Sequence, residues 1–505
     1  PASTLVTASD SSTVAVVLAA GLGTRMRSRT PKVLHPLLGR PMLAYVLDAA
    51  RAATGGRPIV VYSPATAAVC QAFAGEADFA LQEEPRGTGD ALRAAIEVIP
   101  GAAEILVLSG DVPRIHSDLP AALLAERRAQ GAAIALVSVA ADEPGSLGRV
   151  VRGPDGRIQA IVEAKDATDG QLDVEEINAG IHAFDAAWLR RRIGDLRPSE
   201  ATSELYLTDL VRLAREDGAD VTSVVVEDDG RLLGINDRLE LAEAEADLRA
   251  EVNERHLLAG VSMADPATAY VEATVELAPD VTLEPNVILK GGTRVGEGTV
   301  IGAGSQVIDS LIGRECRIWA SVIESSEVGD GATIGPMSHL RPGSLIGPRA
   351  ELGNFAEVKN SRLGEGVKQH HMSYLGDAEV GEGTNVGAGT ITANYDGRRK
   401  YRTTIGRGVF LGVDTMLVAP LEVGDEAKTG AGAVVTRDVP PGKLAVGVPA
   451  RMRDQRPRDD EAPVAGTDAE SISSEGPPTQ ATPAEPADAV PLSAELKPGT
   501  DALDR

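Results

Sequence analysis

The sequence predicts a Rossmann-like α/β domain with a mostly parallel sheet over residues 14–235, a linking helix over 236–260, and a left-handed parallel β-helix of hexapeptide repeats over 261–450. Three observations carry this reading. Short Val/Ile/Leu runs alternate with amphipathic stretches in the first half, which is the pattern of βα units around a buried parallel sheet. Aliphatic residues recur every six positions in the second half, a period that belongs to a solenoid. The 505 residues are 43% apolar but only 3% aromatic, with 54 glycines, so the cores must be built from Val, Ile, Leu and Ala.

The α/β elements are expected in order at Val14–Ala19, Pro41–Ala53, Pro58–Tyr62, Ala65–Ala74, Phe79–Gln82, Thr88–Val98 and Ile105–Ser109. A Glu/Ala/Leu-rich helix from Asp237 to about Leu258 closes this half. The six-residue period then runs through Val275, Val281 and Val287, through Val328, Ile334, Leu340, Ile346, Leu352 and Val358, and through Ile405, Leu411, Leu417 and Val423 into Thr429 and Val435. Each hexapeptide makes one short face of a triangular coil, with its aliphatic residue inward. Burying one such side chain stabilises by about 1.5–3 kcal/mol, so many coils must stack. Two segments break the period and are expected as loops: Lys368–Tyr374, and Asn394–Thr404 with its four cations Arg398, Arg399, Lys400 and Arg402.

A net charge of −25 argues against a general nucleic-acid surface. Cys70 and Cys316 stand apart with no CxxC, which indicates neither a disulfide framework nor structural zinc. Residues 1–13 have no basic region followed by an apolar one, and no run of 18 apolar residues occurs, so a cytoplasmic protein without a membrane partner is expected. Residues 1–13 and the Pro/Ala/Glu/Asp/Ser-rich acidic tail 451–505 are expected to be disordered.

Leu18-Ala19-Ala20-Gly21-Leu22-Gly23-Thr24-Arg25-Met26, followed by Pro31-Lys32, puts a Gly-rich turn after a strand. Its backbone N–H groups can hold phosphate oxygens, and Arg25 and Lys32 can add charge there. It is neither a dinucleotide fingerprint, since Met26 stands at the sixth position, nor a Walker loop. The run resembles the signature of the sugar-nucleotide pyrophosphorylases. Leu81-Gln82 with Gly87-Thr88-Gly89 resembles that family's uracil-binding segment, and Ser109-Gly110-Asp111-Val112-Pro113 its metal turn. Gly148-Arg149, Ile161-Val162-Glu163 and Ile177-Asn178-Ala179-Gly180 resemble its sugar-binding positions, and Gly234-Ile235-Asn236-Asp237-Arg238 the segment with the second metal ligand.

Together with the hexapeptide half, the chain resembles the bifunctional N-acetylglucosamine-1-phosphate uridyltransferase/glucosamine-1-phosphate acetyltransferase family over roughly residues 13–450. The resemblance implies that UTP and N-acetylglucosamine 1-phosphate meet at Leu18, Ala19, Ala20, Gly21, Gly23, Lys32, Gln82, Gly87, Thr88, Gly148, Glu163, Asn178 and Asn236. It implies catalytic cations Arg25 and Lys32, and Mg²⁺ held by Asp111 and Asn236.

In the second half, His371 and Tyr374, followed by Leu375–Glu379, match the family's H-x-x-Y pattern, which assigns His371 as general base toward the amine of glucosamine 1-phosphate. Imidazole titrates near neutrality and suits that task. Arg341, Lys359, Tyr374 and Asn385 correspond to glucosamine-1-phosphate positions; Ala388, Asn394, Tyr395, Val413 and Ala431 correspond to acetyl-CoA positions. Related hexapeptide acyltransferases are trimers, so a homotrimer is expected. The chain departs from the family pattern at Asp90 (often His), Arg114 (usually aliphatic), Ser146-Leu147 (commonly Gly-Tyr), Val413 (usually Ser) and Val448, near which a CoA-binding cation is expected. Two other readings remain open on the residues: a single-activity nucleotidyltransferase whose β-helix only oligomerises, and a silent scaffold.

Overall fold

Strand Thr13–Leu18 sends alternate side chains into two different cores: Val14 and Val16 into one, Ala15 and Val17 into the other. The computed structural model, which describes residues 13–99, 101–141 and 144–455, places this strand inside a nine-stranded sheet. Strands Val221–Glu227, Ile134–Ala140, Glu176–Asp185, Glu104–Ser109, Thr13–Leu18, Ile59–Tyr62 and Asp78–Leu81 lie side by side in that order. All neighbours are parallel except at Glu176–Asp185, which runs antiparallel to both its flanks. A hairpin of Arg149–Arg152 and Ile158–Val162 pairs onto that strand through Ile177 and Arg149. Helix Thr88–Glu97 packs on the Val14/Val16 face, and helices Met42–Thr54 and Leu119–Gln130 pack on the other.

The chain leaves Thr13–Leu18 for two strands on one side, then crosses to Glu104–Ser109 on the other. The crevice beyond Leu18 and Ser109 is therefore a topological switch point, where open α/β sheets bind ligands. The element expected at 65–74 is shorter than its pattern: a single turn Pro64–Thr66 capped by Ser63, then helix Ala68–Ala72.

Helix Arg238–Leu258 follows, with the Asp237 carboxylate accepting from the N–H groups of Leu239 and Glu240. From Ser262 the chain winds into three sheets of 12, 10 and 9 short strands, one parallel strand per face per coil, with one antiparallel strand closing the first sheet. The hexapeptide positions point inward: Val328, Ile334, Leu340, Ile346, Leu352 and Val358 are all at most 4% exposed. Leu38, on the turn between Leu37 and Arg40, packs into this second core beside Val252, Val261 and Val271, so the two halves share an apolar contact.

Two expectations need correction. Lys368–Tyr374 is not an insertion. Gln369 occupies the inward position between Leu352 and Val386, is fully buried, and donates to Ser373, so a polar residue hid an unbroken register. Asn394–Thr404 does contain an insertion: the step between stacked residues lengthens from 17 to 25 positions across it. Nor does the structure end at residue 450, since Arg451–Asp454 forms a strand antiparallel to Lys443–Val446. The remaining tail, 456–505, and residues 1–12 lie outside the described residues. Both cysteines are free thiols, and among the described residues no helix is long and apolar enough to cross a membrane.

Candidate active sites

The Gly-rich loop leaves the end of strand Thr13–Leu18 and folds against Lys32. Gly23 has φ +59°, and a Cβ there would lie 2.6 Å from the Lys32 Cβ, so only glycine brings the two together. The loop forms one wall of a cleft of about 510 Å³ that also contains Gln82, Gly87, Thr88, Asp111 and Glu163. A second pocket adjoins it and shares Leu18, Thr88, Ser109, Asp111 and Glu163; its remaining wall includes Gly148, Asn178 and Asn236. Every residue expected at the nucleotide and sugar positions thus lines one of two connected cavities, with Asp111 common to both. Arg25 does not line them; it stands exposed on the short turn Thr24–Met26.

At the junction, Lys32 Nζ donates to Asp111 Oδ2 at 2.5 Å and to Asn236 Oδ1 at 3.2 Å. The Asn236 amide is oriented by its own Nδ2, which donates to the Gly234 carbonyl at 2.8 Å. Two oxygens from distant segments therefore converge on one cationic centre. A carboxylate and a neutral amide oxygen are hard donors, suited to a divalent cation that takes its other ligands from phosphates and water, so the residues fit such an ion.

Other side chains explain departures from the expected pattern. Asp90 accepts from Gln82 Nε2 at 2.9 Å, holding the amide of a buried residue that also donates to the Gly87 carbonyl. Glu163 is half-buried, and the loss of solvent raises its carboxyl above the usual range; it accepts from Thr208 Oγ1 at 2.9 Å. No motif singled out His182, which lines the second pocket four residues beyond Asn178. Burial depresses its imidazole to about 4, and neither ring nitrogen has a partner, so it is neutral near pH 7.

The second group of residues follows two edges of one β-helix face, formed by strands such as His339–Arg341, Ala356–Lys359 and Ser373–Gly376. Arg341 and Lys359 are stacked neighbours at one edge. Arg341 pairs with Glu357 at 2.9 Å. The Asn394–Thr404 insertion leaves the same edge and brings Lys400 against Lys359, whose ammonium is held below the usual lysine value by Lys400 and then by Arg341. Lys400 was named in the sequence only as one of four loop cations; contact with Lys359 separates it from the rest. Asn394 is buried and donates to Asp377, which also accepts from Asn360. The Tyr374 ring lies over Gly376 so closely that a Cβ there would overlap it.

His371 turns the corner at the opposite edge, where Ala388, Val413 and Ala431 occupy the corners of later coils. No side-chain hydrogen bond holds its imidazole among the described residues, whereas neighbouring His370 is paired with Glu351 at 2.7 Å. Asn385 lies on the adjoining face, stacked on Lys368.

A mostly parallel-sheet domain with a Gly-rich loop at its switch point, joined to a hexapeptide β-helix, defines a nucleotidyltransferase fused to an acyltransferase of the left-handed β-helix class. A family profile described as a MobA-like NTP transferase domain matches residues 15–172. The chain is 43% identical over 436 residues to the bifunctional protein GlmU of Pelobacter propionicus, covering 86% of this chain and 95% of that one. It is 41% identical over 443 residues to the bifunctional protein GlmU of Mycobacterium tuberculosis, covering 86% and 90%. Similarity to that of Trichlorobacter lovleyi is 42% over 436 residues, covering 86% and 95%. The chain belongs to the GlmU family of bifunctional enzymes. It is a two-activity transferase of UDP-N-acetylglucosamine synthesis, pairing acetyl transfer with uridyl transfer.

Proposed function

We propose that the β-helix acetylates glucosamine 1-phosphate with acetyl-CoA, and that the α/β domain then joins the product to UTP, releasing pyrophosphate. The observation that carries the uridyl half is the convergence of Lys32, Asp111 and Asn236 where the two pockets meet. The phosphate oxygen of the sugar attacks the α-phosphorus while pyrophosphate leaves, so two anions must approach each other. The Gly21–Gly23 backbone and Lys32 hold and neutralise the nucleotide phosphates, and Arg25, which stands exposed outside the cleft, turns inward when the nucleotide binds. Gln82 presents a fixed amide to the base. Asn178 and Glu163 bind sugar hydroxyls. Asp111 and Asn236 would hold Mg²⁺, which supplies electrophilic stabilisation of phosphoryl oxygens.

In the acetyl half, Arg341, Lys359 and Lys400 offer a cationic seat for the sugar phosphate. Tyr374 and Asn385 orient the ring. His371 accepts the proton of the amine as nitrogen attacks the thioester carbonyl and the CoA thiolate leaves. Asn394 and Tyr395 lie beside the thioester, and Ala388, Val413 and Ala431 run along the CoA.

Two features support a homotrimer that completes this site. The cations and His371 occupy opposite edges of one face, and the exposed side chains Met337, Phe355 and Met372 stack at the His371 edge. The protein acts on small molecules in the cytoplasm. One assay tests the whole reading: glucosamine 1-phosphate, acetyl-CoA and UTP supplied together, with products resolved by mass. UDP-N-acetylglucosamine and pyrophosphate are expected. Uridylation of added N-acetylglucosamine 1-phosphate without any acetylation would favour the single-activity alternative.

A further inference from the structure

The turn carrying Asp111 and the helix following Asn236 are tied together a second time, away from either oxygen. Arg114, three residues beyond Asp111, donates from Nη1 to Asp247 Oδ2 at 2.7 Å and from Nη2 to Glu251 Oε1 at 2.8 Å. Those carboxylates lie one turn apart on helix Arg238–Leu258, so a single guanidinium spans them. The Arg114 side chain is only 10% exposed, and its Nε is buried without a partner. The fold tolerates an unsatisfied donor there in order to keep the two-pronged contact. Arg231 reaches Glu251 as well, at 3.3 Å.

The start of this helix sets where the Asn236 oxygen lies. Asn236 N–H donates to Glu240 Oε2 at 2.6 Å, and Asp237 caps the first turn. Asp111, by contrast, is positioned by the end of strand Glu104–Ser109. One backbone bond, Ile235 N–H to Asp111 O at 2.9 Å, joins the two segments beside the oxygens. Elsewhere the helix is held to other parts of the chain, by Arg238 Nε to the Met26 carbonyl at 3.2 Å and by Asn253 Nδ2 to the Pro266 and Ala269 carbonyls. Arg114 grips it about three turns further along from the turn that carries Asp111, and so fixes the helix relative to that turn.

We propose that Arg114 is a positioning residue for uridyl transfer, clamping the helix so that the Asn236 oxygen keeps the spacing from Asp111 that a divalent cation requires. The inference rests on Asp111 and Asn236 acting as the cation pair.

The test uses the full chain with UTP, measuring Mn²⁺ affinity by electron paramagnetic resonance beside the Mg²⁺ dependence of uridyl transfer. Arg114→Leu is expected to weaken Mn²⁺ binding about tenfold, the scale for a residue that supports metal ligands, and to raise the half-activating Mg²⁺ in proportion. Its kcat at saturating Mg²⁺ and its acetyl transfer should stay within about twofold of the parent, which general unfolding would not allow. Arg114→Lys should recover part of the affinity. The Asp247→Asn/Glu251→Gln pair should reproduce the Leu phenotype, and adding Arg114→Leu to it should change nothing further. Unchanged Mn²⁺ affinity in Arg114→Leu, while Asp111→Asn abolishes binding, would overturn the clamp. Unchanged affinity in Asp111→Asn would instead overturn the cation pair itself, and the clamp with it. If Arg114→Leu does not fold, Glu251→Gln removes one prong only, and parental Mn²⁺ affinity there also overturns the proposal.

Discussion

Lys32 holds its ammonium 2.5 Å from Asp111, although the two residues are 79 positions apart in the chain. That contact lies where the two connected cavities meet, since Asp111 lines both, so its cation faces whatever charge develops between them.

Lys32→Ala is therefore expected to lower uridyl transfer by about 10²–10³, the usual worth of one transition-state electrostatic contact. Acetyl transfer should remain close to the parent, because both hydrogen bonds of the Lys32 ammonium go to groups that precede the β-helix. Separate initial-rate assays of the two half-reactions check this. An equal fall in both, with the fold intact, contradicts the division between halves.

His371→Ala should give the reverse pattern, lowering acetyl transfer by about 10²–10⁴ at saturating substrates, as loss of a general base does. The same two assays decide it. Acetylation within a few-fold of the parent removes His371 from the mechanism.

Mixing His371→Ala and Asn394→Ala chains tests whether the acetyl site is shared. The residues stand at opposite edges of one face, so if neighbouring subunits join these edges, co-refolded mixtures should regain some acetyl transfer while each variant alone stays inactive. Mass by light scattering on the parent should show a trimer. An active monomer excludes a shared site.

His182 gives a pH signature. Its folded imidazole sits near 4, below the ordinary value of 6.5. Between those values the unfolded chain binds more protons than the folded one, so this residue's contribution is complete above pH 6.5 and is lost as pH falls toward 4. A His182→Phe variant should accordingly show a shallower fall in Tm than the parent over pH 6.5 to 4. Parallel curves would mean that His182 is already paired or solvated.

Ending the chain after residue 455 should leave both activities intact, since none of the residues placed in either site lies beyond that point. Rates of the two half-reactions on the shortened protein provide the check.

The sequence by itself determined both architectures, because periodicity reports burial directly. The unbroken apolar run Val14–Val17 had to lie in a sheet covered on two sides, and six-residue spacing from Val328 to Val358 had to coil. It also marked the Gly-rich loop beside the cleft, since Gly23 and Lys32 are local features of a short segment. What the sequence could not determine is which distant groups meet. The pairing of Asp111 with Asn236 came only through the family resemblance; the tertiary structure alone sets both against Lys32, gives Asp90 the Gln82 amide, sets Lys400 rather than its neighbouring arginines against Lys359, and aims Arg114 at Asp247 and Glu251. Gln369 shows the limit from the other side. A buried polar residue reads as a loop in one dimension, and only its hydrogen bond to Ser373 in three dimensions explains why it can stand in an apolar position.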